Sequence, residues 1–241
     1  MIVLFTDFGL EGPYTGQMKA AIHRAAPGIP TIDLFADAPR FDPVSSAYLL
    51  AAYSTDFEPG SVFVCVVDPG VGTDRGAVAL NADGRWFVGP DNGLLSIVAR
   101  RAASAEWRPI VWRPERLSVS FHGRDIFAPV AARLAIGDSG SLGPPAPPAE
   151  AGREWPDDLS QIVYIDRYGN AVTGLRSAVV PTSQMFRVGG RTIAHSRTFG
   201  AAQRGVPFWY ANSNGLVELA VNQGRADVML GIEPGTKVHN V

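Results

Sequence analysis

A chain of 241 residues with 46% apolar and 18% charged side chains is long enough to bury a sizeable core, in one large domain or two smaller ones. Its net charge of −2 gives no electrostatic reason to expect nucleic acid or an acidic membrane as partner. One cysteine excludes an intrachain disulfide, no stretch approaches a membrane span, and the start reads as a strand and not a signal peptide, so a cytoplasmic protein is expected.

In chain order, short β-branched runs alternate with helical patterns. Strands are expected over residues 2–6, 31–34 and 62–67, and helices over 16–26, 44–55, 94–103 and 126–135. Residues 77–81 and 86–88 read as a hairpin around Asp83-Gly84. Cys65 falls within the apolar run 62–67, where a buried small hydrophobe is expected instead of a reactive thiol. Strands alternating with helices predict an α/β N-terminal domain over 1–140. The following stretch, 138–157, is crowded with Pro, Gly, Ser and Ala and predicts an extended connector, taken as a linker over 141–157. Beyond it the pattern changes to short strands at 161–165, 171–173, 185–188, 191–194, 216–220 and 227–230. That predicts a smaller, mostly β, barrel-like C-terminal domain over 158–241.

Polar groups cluster on loops after the strands. Asp7 follows the first, and Asp68 follows 62–67 in the run Val67-Asp68-Pro69-Gly70-Val71-Gly72-Thr73-Asp74-Arg75. His122 lies in a second Gly-flanked turn, Phe121-His122-Gly123. In open α/β sheets ligands collect outside the carboxyl ends of strands, so these groups are site candidates, although aspartates there also serve as caps. An acid, a permanent cation and a titratable base can together orient a small nucleophile. The segment 89–93 reads as a turn before a helix. No histidine stands at metal-ligand spacing from His122, so no metal is expected. Neither a phosphate loop, a dinucleotide fingerprint nor a serine nucleophile elbow is present. Asn212-Ser213-Asn214-Gly215 with Glu218 offers donors and acceptors suited to a nucleoside, and Phe208-Trp209-Tyr210 offers stacking surface or core. Read physically, the residues stop at a two-domain, enzyme-like protein acting on a small polar ligand.

The motifs TDFG (6–9), YTGQMKA (14–20), VVDPGVGTDR (66–75), PDNGLLS (90–96), FHGRDIFAPVAA (121–132), IDRYGN (165–170) and NSNGLVELAVNQGRA (212–226) together resemble one family over nearly the whole chain. It is that of the S-adenosyl-L-methionine hydrolases, or hydroxide adenosyltransferases, relatives of fluorinase and chlorinase. The resemblance implies an α/β domain followed by a β-barrel, and a homotrimer with sites between subunits. It also implies hydrolysis of S-adenosylmethionine to adenosine and methionine, as substrate, with no metal or other cofactor. Asp68, Arg75 and His122 match the catalytic triad. Asp7, with Phe8 beside it, matches the ribose contact, and Asn170, Ser213 and Glu218 fall in segments that hold the adenosine and methionine parts. Phe41 and Phe199 match aromatic pocket positions. Two positions depart from the pattern: Gly174 follows Thr173 where Asn is usual, and Asn214 stands where an aromatic is usual.

The implied chemistry is in-line displacement at ribose C5′, with methionine leaving from a sulfonium as a neutral thioether. Arg75 would stabilise developing hydroxide, and neutral His122 would receive or relay a proton. A halogenase is the nearest alternative, but a carboxylate at 68 would repel a halide. A binding protein without turnover is another, though it would not need the triad.

Overall fold

The computed structural model describes residues 1–148 and 151–241. Two residues of the expected linker, Ala149 and Glu150, lie outside the described residues. The chain forms two compact units, Met1–Glu154 and Trp155–Val241.

In the first unit, the run Ile2-Val3-Leu4-Phe5-Thr6 is buried at every position and forms β1 (Ile2–Thr6). Continuous burial is what a central parallel strand covered on both faces requires. It is followed by α1 (Tyr14–Ala25), which buries Met18, Ala21 and Ile22 at helical spacing. Next come β2 (Thr31–Phe35) and α2 (Pro43–Tyr53). The Oδ1 of Asp42 caps α2 by accepting the Ser45 N–H at 3.0 Å, with Pro43 opening the first turn. The remaining elements are β3 (Val62–Val66), β4 (Ala77–Ala82), β5 (Arg85–Pro90), α3 (Ser96–Arg101), β6 (Ala105–Pro109) and α4 (Ala128–Ala135). The six strands lie in the order β2-β1-β3-β5-β4-β6. β2, β1, β3 and β5 run parallel, while β4 is antiparallel to both its neighbours.

Strand order reverses at β1, where the chain leaves toward β2 and returns on the other side as β3. The crevice beyond the carboxyl ends of β1 and β3 is thus the topological switch point, where open α/β sheets take their ligands. Cys65 is fully buried in β3, and its carbonyl lies where a side chain on Gly89 would come within 2.5 Å of it, so the β3–β5 contact demands glycine there. The expected helix over 126–135 divides in two: a π-helical turn, Gly123–Phe127, precedes α4.

The second unit comprises β7 (Leu159–Ile165), β8 (Ala171–Arg176), β9 (Phe186–Val188), β10 (Arg191–His195), β11 (Pro207–Ala211), β12 (Leu216–Val221), α5 (Ala226–Leu230) and β13 (His239–Asn240). Its sheet runs β13-β9-β10-β11-β12-β8-β7. The carboxy-terminal segment closes it: Gly235, Thr236 and Val238 exchange backbone hydrogen bonds with β7, and His239 and Asn240 pair with β9. Closure removes the exposed edges that an open sheet presents. Trp209, Phe186, Val217, Leu219 and Ile193 fill the interior.

One expected strand is a helix. Residues 227–230 belong to α5, because the Asp227 Oδ1 accepts the Val228 N–H at 2.8 Å and Gly231 terminates the turn in the left-handed region. Three strands went unforeseen, β6, β11 and the two-residue β13; the aromatics of Phe208-Trp209-Tyr210 split, with Phe208 and Trp209 buried and Tyr210 facing polar groups. At Gly174, opposite Leu159 in the β7–β8 ladder, an added Cβ would fall 2.6 Å from the Leu159 Cβ. The departure to glycine is therefore built into the strand pairing. No helix is long and apolar enough to cross a membrane among the described residues.

Candidate active site

The loop after β3 is a pair of tight turns. Val71 N–H donates to the Asp68 carbonyl and Thr73 N–H to the Gly70 carbonyl, each at 3.2 Å. Thr73 Oγ1 also donates to Gly70 O at 2.7 Å. This coiling folds Arg75 back onto Asp68: Nε donates to Asp68 Oδ1 at 2.9 Å, and Nη2 donates to Oδ2 in a second, shorter contact. Such a bidentate pair fixes both planes. The Asp68 and Arg75 side chains are only 4% and 10% exposed.

The His122 loop is brought alongside. Arg75 Nη2 stands 3.0 Å from His122 Nδ1. A guanidinium has no acceptor, so Nδ1 takes the hydrogen bond and a neutral His122 carries its proton on Nε2. Burial, and next the Arg75 charge, lower the His122 pKa from its ordinary value and keep the ring neutral. Two backbones meet to allow this: Gly72, at φ +81°, has the Val119 carbonyl 2.7 Å from where a Cβ would sit. The Arg75 guanidinium also lies 5.3 Å from the Phe127 ring centroid and donates to Gly76 O at 3.0 Å. The 89–93 turn does more than lead into α3, since Asn92 Nδ2 donates to Val67 O at 2.9 Å and anchors the end of β3.

A cavity of about 490 Å³ opens at this point, lined by Asp7, Phe8, Phe41, Asp68 and His122, among others. Asp7 Oδ2 accepts the Phe41 N–H at 3.0 Å. Its pKa is raised, chiefly by burial, with the Asp68 charge adding to the effect. Phe41 holds φ +57° and is 76% exposed, an uncommon backbone state for an aromatic residue. Phe8, Tyr14 and Phe121 pack edge to face or tilted with centroids 5.5–5.8 Å apart, and form the apolar wall. Tyr14, Phe121 and Arg40, also on this cavity, were not singled out from the sequence, although Tyr14 and Phe121 lie inside two of its motifs.

The remaining expected residues lie in the second unit. Glu218 on β12 is 6% exposed, accepting Tyr210 Oη–H at 2.6 Å and Asn212 Nδ2–H at 2.9 Å. Burial raises its pKa despite those two donors. Asn170 is buried and gives its backbone and side-chain N–H groups to Asp166, at 2.9 and 3.0 Å. Ser213 is exposed and donates to Asn214 Oδ1 at 3.1 Å. Phe199 lies edge-on to Tyr210, with centroids 5.3 Å apart. Tyr210 thus joins Phe199 to Glu218, a link that the aromatic run only hinted at. Among the described residues, no group of three or more His, Cys, Asp or Glu is arranged to hold a metal.

Known proteins share this architecture. Residues 2–142 match the SAM hydroxide adenosyltransferase N-terminal domain, and 160–239 match the SAM hydroxide adenosyltransferase C-terminal domain. A (R)-S-adenosyl-L-methionine hydrolase from Thermus thermophilus is 41% identical, covering 98% of each chain. One of the same name from Salinispora arenicola is 38% identical over 97% of this chain and 94% of its own. A crystal structure of a conserved Thermotoga maritima protein superposes with a TM-score of 0.91 at 33% identity, covering 100% of both chains. With both units matched in order and relatives similar end to end, the chain belongs to the SAM hydroxide adenosyltransferase family.

Proposed function

We propose that this protein hydrolyses S-adenosyl-L-methionine to adenosine and L-methionine. The observation that carries this is the hydrogen-bonded Asp68–Arg75–His122 chain beside a cavity of nucleoside scale at the switch point. Similarity to hydrolases of that name along the whole chain supports it.

In the proposed reaction, water attacks C5′ opposite the sulfur. The C5′–O bond forms as the C5′–S bond breaks, its electron pair stays on sulfur, and one proton is released. With Nδ1 occupied by Arg75, His122 presents Nε2–H and acts as a donor that holds the water oxygen, which refines the expectation of a proton-accepting imidazole. Asp68 is left as the acceptor for a water proton, because each of its oxygens retains a lone pair beyond the one given to Arg75. Arg75 stabilises the negative charge that grows on the attacking oxygen. Asp7 holds the ribose hydroxyls, and the Phe8–Tyr14–Phe121 wall excludes bulk water from the sulfonium. S-adenosylmethionine is consumed as substrate, and no step calls on a metal or cofactor.

Assembly as a homotrimer, with the Asn170, Ser213, Glu218 and Phe199 group completing a neighbour's cavity, belongs to the same proposal, as does residence in the cytoplasm. Light scattering should then return about three times the 25.7 kDa chain mass. The central test incubates the purified protein with S-adenosylmethionine in ¹⁸O-water. Equimolar methionine and adenosine labelled at the 5′ oxygen are expected, and unchanged substrate refutes the reading. Adding chloride should yield no chlorinated nucleoside, since the Asp68 carboxylate opposes a halide.

A further inference from the structure

The cavity of the first unit contains a cation that this chemistry does not use. Arg75 is committed to Asp68, Gly76 and His122, whereas Arg40 lines the cavity and lies near enough to Asp7 to act on its charge without hydrogen-bonding to it. Arg40 is exposed, and the backbone on both sides of it is fixed. Ala38 N–H donates to Thr6 O at 3.0 Å and Asp42 N–H to Pro39 O at 3.2 Å. Phe41 N–H is bound by Asp7, and Asp42 caps α2. Both flanks of Arg40 are thereby pinned to the switch-point crevice. Its Nη2 hangs over the turn after β1, 3.7 Å from where a Cβ on Gly9 would lie.

The other charged groups on the cavity wall are two carboxylates, Asp7 and Asp68, which suit the cationic part of a sulfonium substrate. S-adenosylmethionine has one anionic group, the α-carboxylate of its methionine half, and a guanidinium fork matches a carboxylate in shape and charge. We propose that Arg40 binds the substrate's α-carboxylate and makes the enzyme select an intact amino-acid tail. This rests on the hydrolase reading above.

The test compares S-adenosylmethionine with decarboxylated S-adenosylmethionine, which keeps the adenosine, sulfonium and amine but lacks the carboxylate. Both kcat/KM and the calorimetric Kd are measured for wild type, Arg40→Gln and Arg40→Lys. Wild type should prefer the intact substrate, and Arg40→Gln should reduce that preference about ten-fold or more through KM and Kd, as expected for losing a charge-assisted contact. Arg40→Lys should recover part of it. Equal losses on both substrates would mean that Arg40 acts through Asp7 and the ribose, and would overturn the proposal, as would an unchanged ratio. If wild type binds the intact substrate but cleaves neither, the hydrolase reading fails alone and the Kd ratio still decides the role of Arg40. If it binds neither, both fall.

Discussion

Arg75→Ala probes the centre of the site. It removes both hydrogen bonds to Asp68, the contact to His122 Nδ1 and the charge above the Phe127 ring. What remains is a carboxylate 4% exposed with no counter-charge of its own. Breaking a buried pair from one side costs about 3–5 kcal/mol, because the abandoned charge stays desolvated. At roughly 2–4 °C per kcal/mol for a chain of this size, the first transition in a melting curve should fall by about 6–20 °C. Asp68→Ala strands the guanidinium less severely, since Gly76 O and Phe127 remain. In the double variant no charge is stranded, so its loss should be smaller than the sum of the two singles by over 1 kcal/mol. Urea denaturation of the four proteins measures this coupling. Additivity within about 0.5 kcal/mol would refute the assignment of Asp68 and Arg75 as one desolvated unit. Turnover should fall roughly 10²–10³-fold in Arg75→Ala, the scale of losing one group that stabilises developing charge, since the variant also frees Asp68 and His122 from their fixed orientations.

Other expectations follow from the same geometry. His122 has its pKa lowered below 6.5, so between that value and its folded value the unfolded chain binds the extra proton. Wild type should accordingly lose stability relative to His122→Asn as pH falls through this window, and kcat/KM should fall with it; a gap independent of pH counts against the Arg75–His122 contact. Asp7 has its pKa raised above 3.8 by burial, so its charge disfavours folding near neutrality. Asp7→Asn, which keeps an acceptor for the Phe41 N–H, should melt higher at pH 7, with the advantage vanishing toward pH 3.8, while activity drops. Gly72→Ala meets a left-handed backbone and the Val119 carbonyl at 2.7 Å, so it should separate the Asp68 and His122 loops. About 1–2 kcal/mol of stability should be lost, and far more activity than that figure implies. An active, fully stable Gly72→Ala would show that the two loops need not touch.

Much of this was legible in the chain because burial writes itself into composition. The runs 2–5 and 62–66 are apolar at every position, and the polar residues beyond the strands they form had only loops to occupy. Asp68, Arg75 and His122 stood out for that reason, and the Asp68–Arg75 spacing closed as two tight turns. Other features left weaker marks. β6 alternates apolar and charged residues over only five positions, and it opens on Ala105 and ends on Pro109, both poor strand formers, so its signal is faint. α5 is five residues long, too short for a helical period, and its Val-Met-Leu core mimics a strand. Arg40 looks like any surface arginine until the Asp42 cap and the Asp7–Phe41 bond reveal what fixes it. The partners of Glu218 come from a neighbouring strand and the following turn, and only the β11–β12 register brings Tyr210 opposite it.

The π-helical turn was silent for a different reason. Its residues carry the same apolar spacing that an ordinary helix would. Between Gly123 and Ala128 the hydrogen bond spans five residues, one more than an α-turn. That surplus residue resets the angular phase between His122 and α4, whose Val130, Ala131 and Leu134 are seated in the core. Each residue of an α-helix advances it by about 100°. A single-residue deletion at Arg124 or Asp125, which spares the buried Ile126 and Phe127, would give the helix an ordinary pitch and leave the core face satisfied. It would also swing the imidazole about a quarter-turn away from Arg75. Length in this stretch is therefore as much a functional specification as residue identity: a shorter turn could yield a folded, well-packed protein with its histidine facing the wrong way.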